Sequence, residues 1–262
     1  MSRLSTYERN CMSLKDKIVL VSGASRGIGK AIALKFGGLG ARVAVNYNAN
    51  AEAAQQVAEQ IVQAGGDAFI IKADVASRSD CTRMVDQIIE RWQTVHVLIN
   101  NAGVTRDGLL MSMDDTDWDT VINTNLGGTA FLTKTVLPYM MMQKYGRVIN
   151  ISSVSADKGR KGQTSYSASK GAVNSLTKVL ASEVASKGVT VNAIEPGMIE
   201  TDMSGAVRGL ASKQILAQIP VGRFGTPDDI ADTAVFLASN QASYITGAII
   251  RVDGGLSLGI GV

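Results

Sequence analysis

Ile18-Val19-Leu20-Val21 runs without a break into Ser22-Gly23-Ala24-Ser25-Arg26-Gly27-Ile28-Gly29, and the reading of this stretch decides the fold. A short β-branched apolar run is a buried strand. Ala31, Ile32, Ala33, Leu34 and Phe36 follow at helical spacing and stop at Gly37-Gly38. Strand, glycine turn and helix in that order make a phosphate site. Glycines let the main chain approach a pyrophosphate, and the helix start offers free N–H groups and the positive end of a dipole. The spacing of Gly23, Gly27 and Gly29 is G-x-x-x-G-x-G, not G-x-G-x-x-G. Out of context it would be a tight turn; between this strand and this helix it favours a dinucleotide.

Further strand-like runs at 42–47, 68–73, 95–99, 146–151, 189–194 and 248–252 alternate with helical patterns at 51–64, 79–92, 118–143, 165–187 and 226–238. Such alternation means one parallel sheet covered on both faces. The expected architecture is a single α/β domain, a Rossmann-type doubly wound parallel sheet of about seven strands with helices on both faces. It spans 15–262, after a polar, aperiodic extension over 1–14. Residues 198–219 break the rhythm, with Gly205 and Gly209 among scattered apolar residues that include Met198 and Met203. An insertion of this length predicts a substrate-binding lid, with adaptable methionines for a flexible apolar substrate; packing against the domain is the alternative.

The 262 residues are 45% hydrophobic and 19% charged, ordinary globular composition. A net charge of +3 on scattered basic residues argues against a nucleic-acid partner. Cys11, Cys81 and His96 are too few and too dispersed for a zinc cluster, and no metal site is expected. Sparse cysteine suggests a reducing compartment. No apolar run reaches the ~18 residues of a membrane helix, and the first residues lack a signal peptide's apolar core. The expectation is a cytoplasmic protein with no membrane partner.

In a parallel sheet, ligands sit at the carboxyl ends of strands. Asn46-Tyr47-Asn48 ends the second strand without the carboxylate that takes a ribose 2′-hydroxyl, and Arg26 stands in the glycine turn. Together they favour NADP over NAD, unless Arg26 simply faces solvent. Asp74 ends the third strand, to accept from an adenine amino group or to cap the next helix. Asn100-Asn101-Ala102-Gly103 follows the fourth strand, and Ser153 the fifth. Tyr166 and Lys170 lie four apart and so share a helix face. A phenol has a pKa near ~10, and an adjacent ammonium lowers it, giving a proton donor for carbonyl–alcohol chemistry. Asn125, inside the 118–143 helix, is a weak helix former that either opens the local ladder and holds water or is satisfied by backbone. His96 lies inside a strand run, away from the carboxyl end, and reads as structural.

Ser-Gly-Ala-Ser-Arg-Gly-Ile-Gly, Asn-Asn-Ala-Gly, Ser153, Tyr-x-x-x-Lys and Pro-Gly, in that order, resemble the short-chain dehydrogenase/reductases over residues 15–258. Gly103-Val-Thr-Arg-Asp-Gly-Leu-Leu-Met111, Asn123-Thr-Asn-Leu126, Ile199-Glu-Thr-Asp-Met203 and Tyr244-Ile-Thr-Gly247 are similar to the 3-oxoacyl-[acyl-carrier-protein] reductase branch. The resemblance implies that Tyr166 gives its proton to a carbonyl oxygen that Ser153 holds. Lys170 would bind the nicotinamide ribose and lower the Tyr166 pKa, and Asn125 would hold a water that reconnects Lys170 to solvent. Cofactor contacts are implied at Gly23, Ser25, Arg26, Gly27, Ile28, Gly29, Asn48, Asp74, Val75, Asn101, Ala102, Gly103, Tyr166, Lys170, Pro196, Gly197, Ile199 and Thr201. The implied reaction is NADPH-dependent reduction of a 3-oxoacyl thioester, on acyl carrier protein, in fatty-acid or polyketide-type synthesis. Acetoacetyl-CoA reduction, another short-chain ketoreductase, and a non-catalytic NADP(H) sensor are the alternatives. A homotetramer is implied, with the apolar 256–262 tail at an interface; Lys144 and Lys187 either meet an acidic carrier or are solvated surface lysines. Two residues depart from the family text: His96 stands where Asp is common, and Glu195 precedes Pro-Gly. Glu195 near the nicotinamide and substrate mouth would alter substrate preference.

Overall fold

The computed structural model describes residues 14–258. Seven parallel strands, β1 (Ile18–Val21), β2 (Arg42–Tyr47), β3 (Asp67–Lys72), β4 (Val97–Asn100), β5 (Gly146–Ile151), β6 (Val189–Pro196) and β7 (Ile249–Val252), form one sheet in the order β3-β2-β1-β4-β5-β6-β7. The order reverses between β1 and β4, and that switch point opens a crevice at the carboxyl ends of the strands. The single α/β sheet expected from the alternation is the observed fold.

The period of two along β1 sorts its side chains between two cores. Val19 and Val21 join α1 (Gly27–Gly38), α2 (Ala51–Gln63) and α8 (Pro227–Ala238) on one face. Ile18 and Leu20 join α3 (Arg78–Trp92), α5 (Gly128–Met142) and α6 (Thr164–Val184) on the other. Leu14, placed in the loose extension by its polar surroundings, is instead 1% exposed and packed in the first core. The rest of that extension, and the end of the 256–262 tail, lie outside the described residues.

The helix expected over 118–143 is resolved into α4 (Asp115–Ile122), a π-helical turn at Asn123–Gly127, and α5. Residues 198–219 are largely helical too, as α7 (Asp202–Leu216), started by a Thr201–Ser204 capping box. Ile215 and Ile219 pack with Val154 and Leu256, so this segment rests on the loop that follows β5. β6 runs two residues further than its apolar pattern, through Glu195 and Pro196.

His96 precedes β4 rather than lying inside it, and its Nδ1 accepts from the Ile18 N–H at 3.0 Å. Burial, then the nearby Lys17 charge, lowers its pKa to about 4. A neutral ring that accepts a main-chain hydrogen bond is a structural histidine, as its place in the sequence suggested. Among the described residues no three His, Cys, Asp or Glu side chains are grouped to hold a metal ion, and no helix is long and apolar enough to cross a membrane.

Candidate active site

The glycine turn after β1 is held so tightly that only glycine fits at its two closest points. Gly23 has φ +62°, and a Cβ there would stand 2.9 Å from Ala102 Cα. On Gly29 a Cβ would stand 2.4 Å from both Gly23 O and Asn101 Nδ2. The turn after β4 therefore presses directly on the turn after β1. Ser22, which the motif reading passed over, is the fastener: its Oγ accepts from the Asn101 and Ala102 N–H groups at 2.9 and 3.0 Å. Asn101 answers by donating Nδ2 to Ser22 O and Gly23 O.

Asn46 explains why β2 ends without a carboxylate. Its Oδ1 accepts from the Gly23 N–H at 3.1 Å, and its Nδ2 donates to Ile71 O and Ala73 O. An aspartate cannot make those donations, so Asn46 is committed to bracing the turn. Arg26 and Asn48 are both exposed on that side. Arg26 is also the N-cap of α1 and makes no side-chain cap bond, so no side chain of the cap caps the helix start. This fits a diphosphate, which supplies oxygen acceptors and negative charge to such an end.

Other expected cofactor residues sort by their surroundings. Ser25, Gly27 and Ile28 are half-buried in the turn. Asp74 Oδ1 accepts from the Ala76 N–H at 2.9 Å, while the cap of α3 is Ser77, so Asp74 is not the helix cap. Val75 and Ile199 bury their side chains in the core, which leaves main-chain atoms as their means of contact. Thr201 starts α7 beside the glycine turn: a Cβ on Gly27 would lie 3.4 Å from its Cγ2. Pro196 ends β6, and the Gly197 N–H just beyond it donates to Val252 O at 3.0 Å.

Across the cleft, α6 carries Tyr166 and Lys170 one turn apart. Lys170 is 4% exposed; its Nζ donates to Ile151 O at 2.8 Å and lies 5.6 Å from the Tyr166 ring centre. Burial lowers the Lys170 pKa to about 8. Tyr166 is pushed above its ordinary value, chiefly by burial, with a hydrogen bond to Ser153 pulling down and the Asp107 charge pushing up. The Lys170 ammonium is aimed at the Ile151 carbonyl, and Ser153 is the neighbour whose hydrogen bond favours ionisation of the phenol. Ser153 also caps the short turn Val154–Ala156, accepting from the Ser155 N–H at 3.1 Å. Turn-capping serine and site serine are the same residue.

Asn125 sits in the π-helical turn and is 0% exposed. Its Oδ1 accepts from the Val104 N–H at 2.8 Å, and its Nδ2 donates to Val104 O and Ser169 Oγ at 3.0 Å. Both alternatives read from the sequence hold in part: the helical ladder does open, and the amide is satisfied by protein. Its side chain braces the turn after Gly103 rather than presenting a spare donor to water. A Cβ on Gly103 would stand 3.2 Å from Asn125 Oδ1 and 3.6 Å from Lys170 Nζ, so these three groups converge. Beneath them runs a buried polar ladder, Thr133–Asn100–Asn150–Thr177, with links of 2.8 to 2.9 Å. Asn100 opens the Asn-Asn-Ala-Gly motif, whereas Thr133, Asn150 and Thr177 belong to no motif.

Glu195 does not face a substrate mouth. It is fully buried, accepting from Asn174 Nδ2 at 2.6 Å and from Arg251 Nε at 2.9 Å.

A crevice at the switch point, a glycine turn feeding an uncapped helix, and Ser, Tyr and Lys opposite it define a dinucleotide-dependent oxidoreductase of the short-chain type. The family described as enoyl-(acyl carrier protein) reductase matches residues 23–257, and the chain belongs to it, within the short-chain dehydrogenase/reductases. A Staphylococcus aureus protein named 3-oxoacyl-[acyl-carrier-protein] reductase FabG is 47% identical over 240 residues, which are 92% of this chain and 98% of that protein. A Synechocystis 3-oxoacyl-[acyl-carrier-protein] reductase is 44% identical over 245 residues, 93% and 98% of the two chains. Among solved structures, an Agrobacterium tumefaciens protein proposed as a 2-deoxy-D-gluconate 3-dehydrogenase, with bound NADP, aligns with TM-score 0.87 at 37% identity, covering 94% of this chain and 98% of that one. Another from the same organism, proposed as a gluconate dehydrogenase, gives TM-score 0.91 at 32% identity, covering 94% and 98%.

Proposed function

We propose that this protein is an NADP-dependent oxidoreductase that reduces the keto group of a 3-oxoacyl thioester, carried on acyl carrier protein, to the 3-hydroxyacyl thioester. The identity with 3-oxoacyl-[acyl-carrier-protein] reductases over nearly the whole of both chains carries this reading. The Ser153–Tyr166 pair supports it, because two hydroxyls side by side suit a carbonyl oxygen that gains a proton.

Gly23, Ser25, Arg26, Gly27, Ile28 and Gly29 would hold the cofactor's phosphates, with Asn48 and Asp74 toward its adenosine end. Asn101, Ala102, Gly103, Pro196, Gly197 and Thr201 would line the nicotinamide end. NADPH, when bound, supplies the hydride. Ser153 fixes the carbonyl oxygen, Tyr166 protonates it, and Lys170 engages the ribose. Asn125 keeps the Gly103 turn against Lys170. The 198–219 segment covers the acyl chain. Exposed apolar side chains such as Met111 and Tyr244, 97% and 102% exposed, support association with further copies of the chain, as a tetramer.

The test is NADPH oxidation with acetoacetyl-CoA, with a longer 3-oxoacyl chain on acyl carrier protein, and with a 2-enoyl thioester. The carrier-protein ketone should turn over fastest and the enoyl thioester not at all. Faster use of the CoA ester would move the protein to acetoacetyl-CoA reduction, and reduction of the enoyl substrate would overturn the ketone assignment.

Arg26→Ala should raise the KM for NADPH about tenfold or more and leave that for NADH within about twofold, since a guanidinium–phosphate contact is lost only with the phosphorylated cofactor. Equal effects on both would assign Arg26 to solvent.

A further inference from the structure

We propose that Glu195, Arg251 and Asp157 form a clamp that positions the Ser153 segment for carbonyl reduction. The inference rests on the reading that Ser153 holds the substrate oxygen. It gives a role to Glu195, one of the two residues by which this chain departs from its family's text.

Glu195 uses both carboxylate oxygens. Oε1 takes the Asn174 amide from α6, four residues past Lys170 and eight past Tyr166 on the same helix face. Oε2 takes Nε of Arg251, its register partner on β7. The guanidinium then reaches out of the core, and its terminal Nη2 pairs with Asp157 Oδ2. Asp157 follows the Val154–Ala156 turn that Ser153 caps, and its N–H closes that turn on Val154 O at 3.2 Å. Next to it, Lys158 Nζ donates to Leu256 O at 3.2 Å, a second tie from the same segment to the chain beyond β7.

The geometry is a chain of contacts with one buried and one exposed end. The buried end fixes Arg251 against β6 and the Tyr166 helix, since a fully buried carboxylate is strongly disfavoured without its partner. At the exposed end the guanidinium holds the loop. A single short turn separates Asp157 from Ser153, so movement at Asp157 is passed to the Ser153 hydroxyl. Tyr166 and Ser153 come from different elements; Ser152 Oγ and Lys170 Nζ join the end of β5 to the Tyr166 helix, and the clamp adds a tie on the far side of Ser153. Misplacement of a reacting group by about 1 Å can lose two orders of magnitude in rate.

Asp157→Asn tests this without disturbing the core, because Asp157 is more than half exposed. We expect kcat to fall about tenfold with the KM for NADPH unchanged and the thermal midpoint held. Ser153→Ala and the double variant complete the cycle. Once Ser153 is gone its positioning no longer matters, so Asp157→Asn should have no further effect in the Ser153→Ala background. An unchanged kcat in Asp157→Asn, or an equal loss in both backgrounds, overturns the clamp. Full activity in Ser153→Ala alone would instead overturn the reading of the site. Glu195→Gln, which keeps shape and removes charge, should reproduce the kcat loss; wild-type kcat in that variant, once shown folded by circular dichroism, also overturns the clamp.

Discussion

Tyr166→Phe should bind NADPH as tightly as the parent and reduce 3-oxoacyl thioesters about 10²–10⁴-fold more slowly, the range general acid catalysis contributes. The substitution removes one oxygen and keeps the ring that packs at the start of α6. The helix does not depend on that oxygen: Lys170 is tied to Ile151 O, Ser169 to Asn125, and Asn174 to Glu195. Ser153 loses one partner and keeps the Ser155 N–H. Binding and folding are therefore separable from proton delivery, and a fluorescence titration of NADPH beside steady-state rates measures them independently. Burial holds the phenol above its ordinary pKa, so it remains protonated across the neutral range, as a proton donor must. A variant that keeps more than a tenth of the parent kcat would show that another group, or water, delivers the proton.

How much of this the sequence disclosed depended on how local each signal was. β1 and α1 are legible because strand, glycines and helix are contiguous, and the register of apolar residues repeats in every later unit. Tyr166 and Lys170 are legible because one helical turn separates them. Contacts made across the sheet were not. Glu195 meets an arginine 56 positions away through the β6–β7 register, and nothing near either residue announces it. Asn46 looked like a missing carboxylate, yet it is a brace whose partners lie in β3 and the glycine turn. α7 escaped because its capping box uses Ser204 at the third position and its apolar residues are too sparse to fix a period. Leu14 shows the same limit: one apolar side chain in a polar stretch has no periodicity, and only the core it enters identifies it.

Lys170→Met should separate stability from activity in opposite directions. Burial lowers the Lys170 pKa from 10.5 to about 8. At neutral pH the fold thus holds a charge it would rather not, at a cost of about 3 kcal/mol. Between pH 8 and 10.5 the unfolded chain binds the proton and the folded chain does not, so this group adds stability as pH rises through that window. Methionine fills a similar volume without the charge. It also forfeits the donation to Ile151 O, leaving a buried carbonyl unpaired at about 1–3 kcal/mol. The two effects are comparable, so the variant should be between unchanged and about 2 kcal/mol more stable at pH 7, and should lack the alkaline rise. Its kcat/KM should fall at least ~10³-fold, because the ammonium beside Gly103 and Asn125 is placed to stabilise charge in the cleft. Urea titrations at pH 7 and pH 10, beside NADPH-dependent rates, read both effects. A variant destabilised by several kcal/mol would make Lys170 a structural pin, whereas loss of activity without loss of stability is the mark of a residue that the fold tolerates for its chemistry.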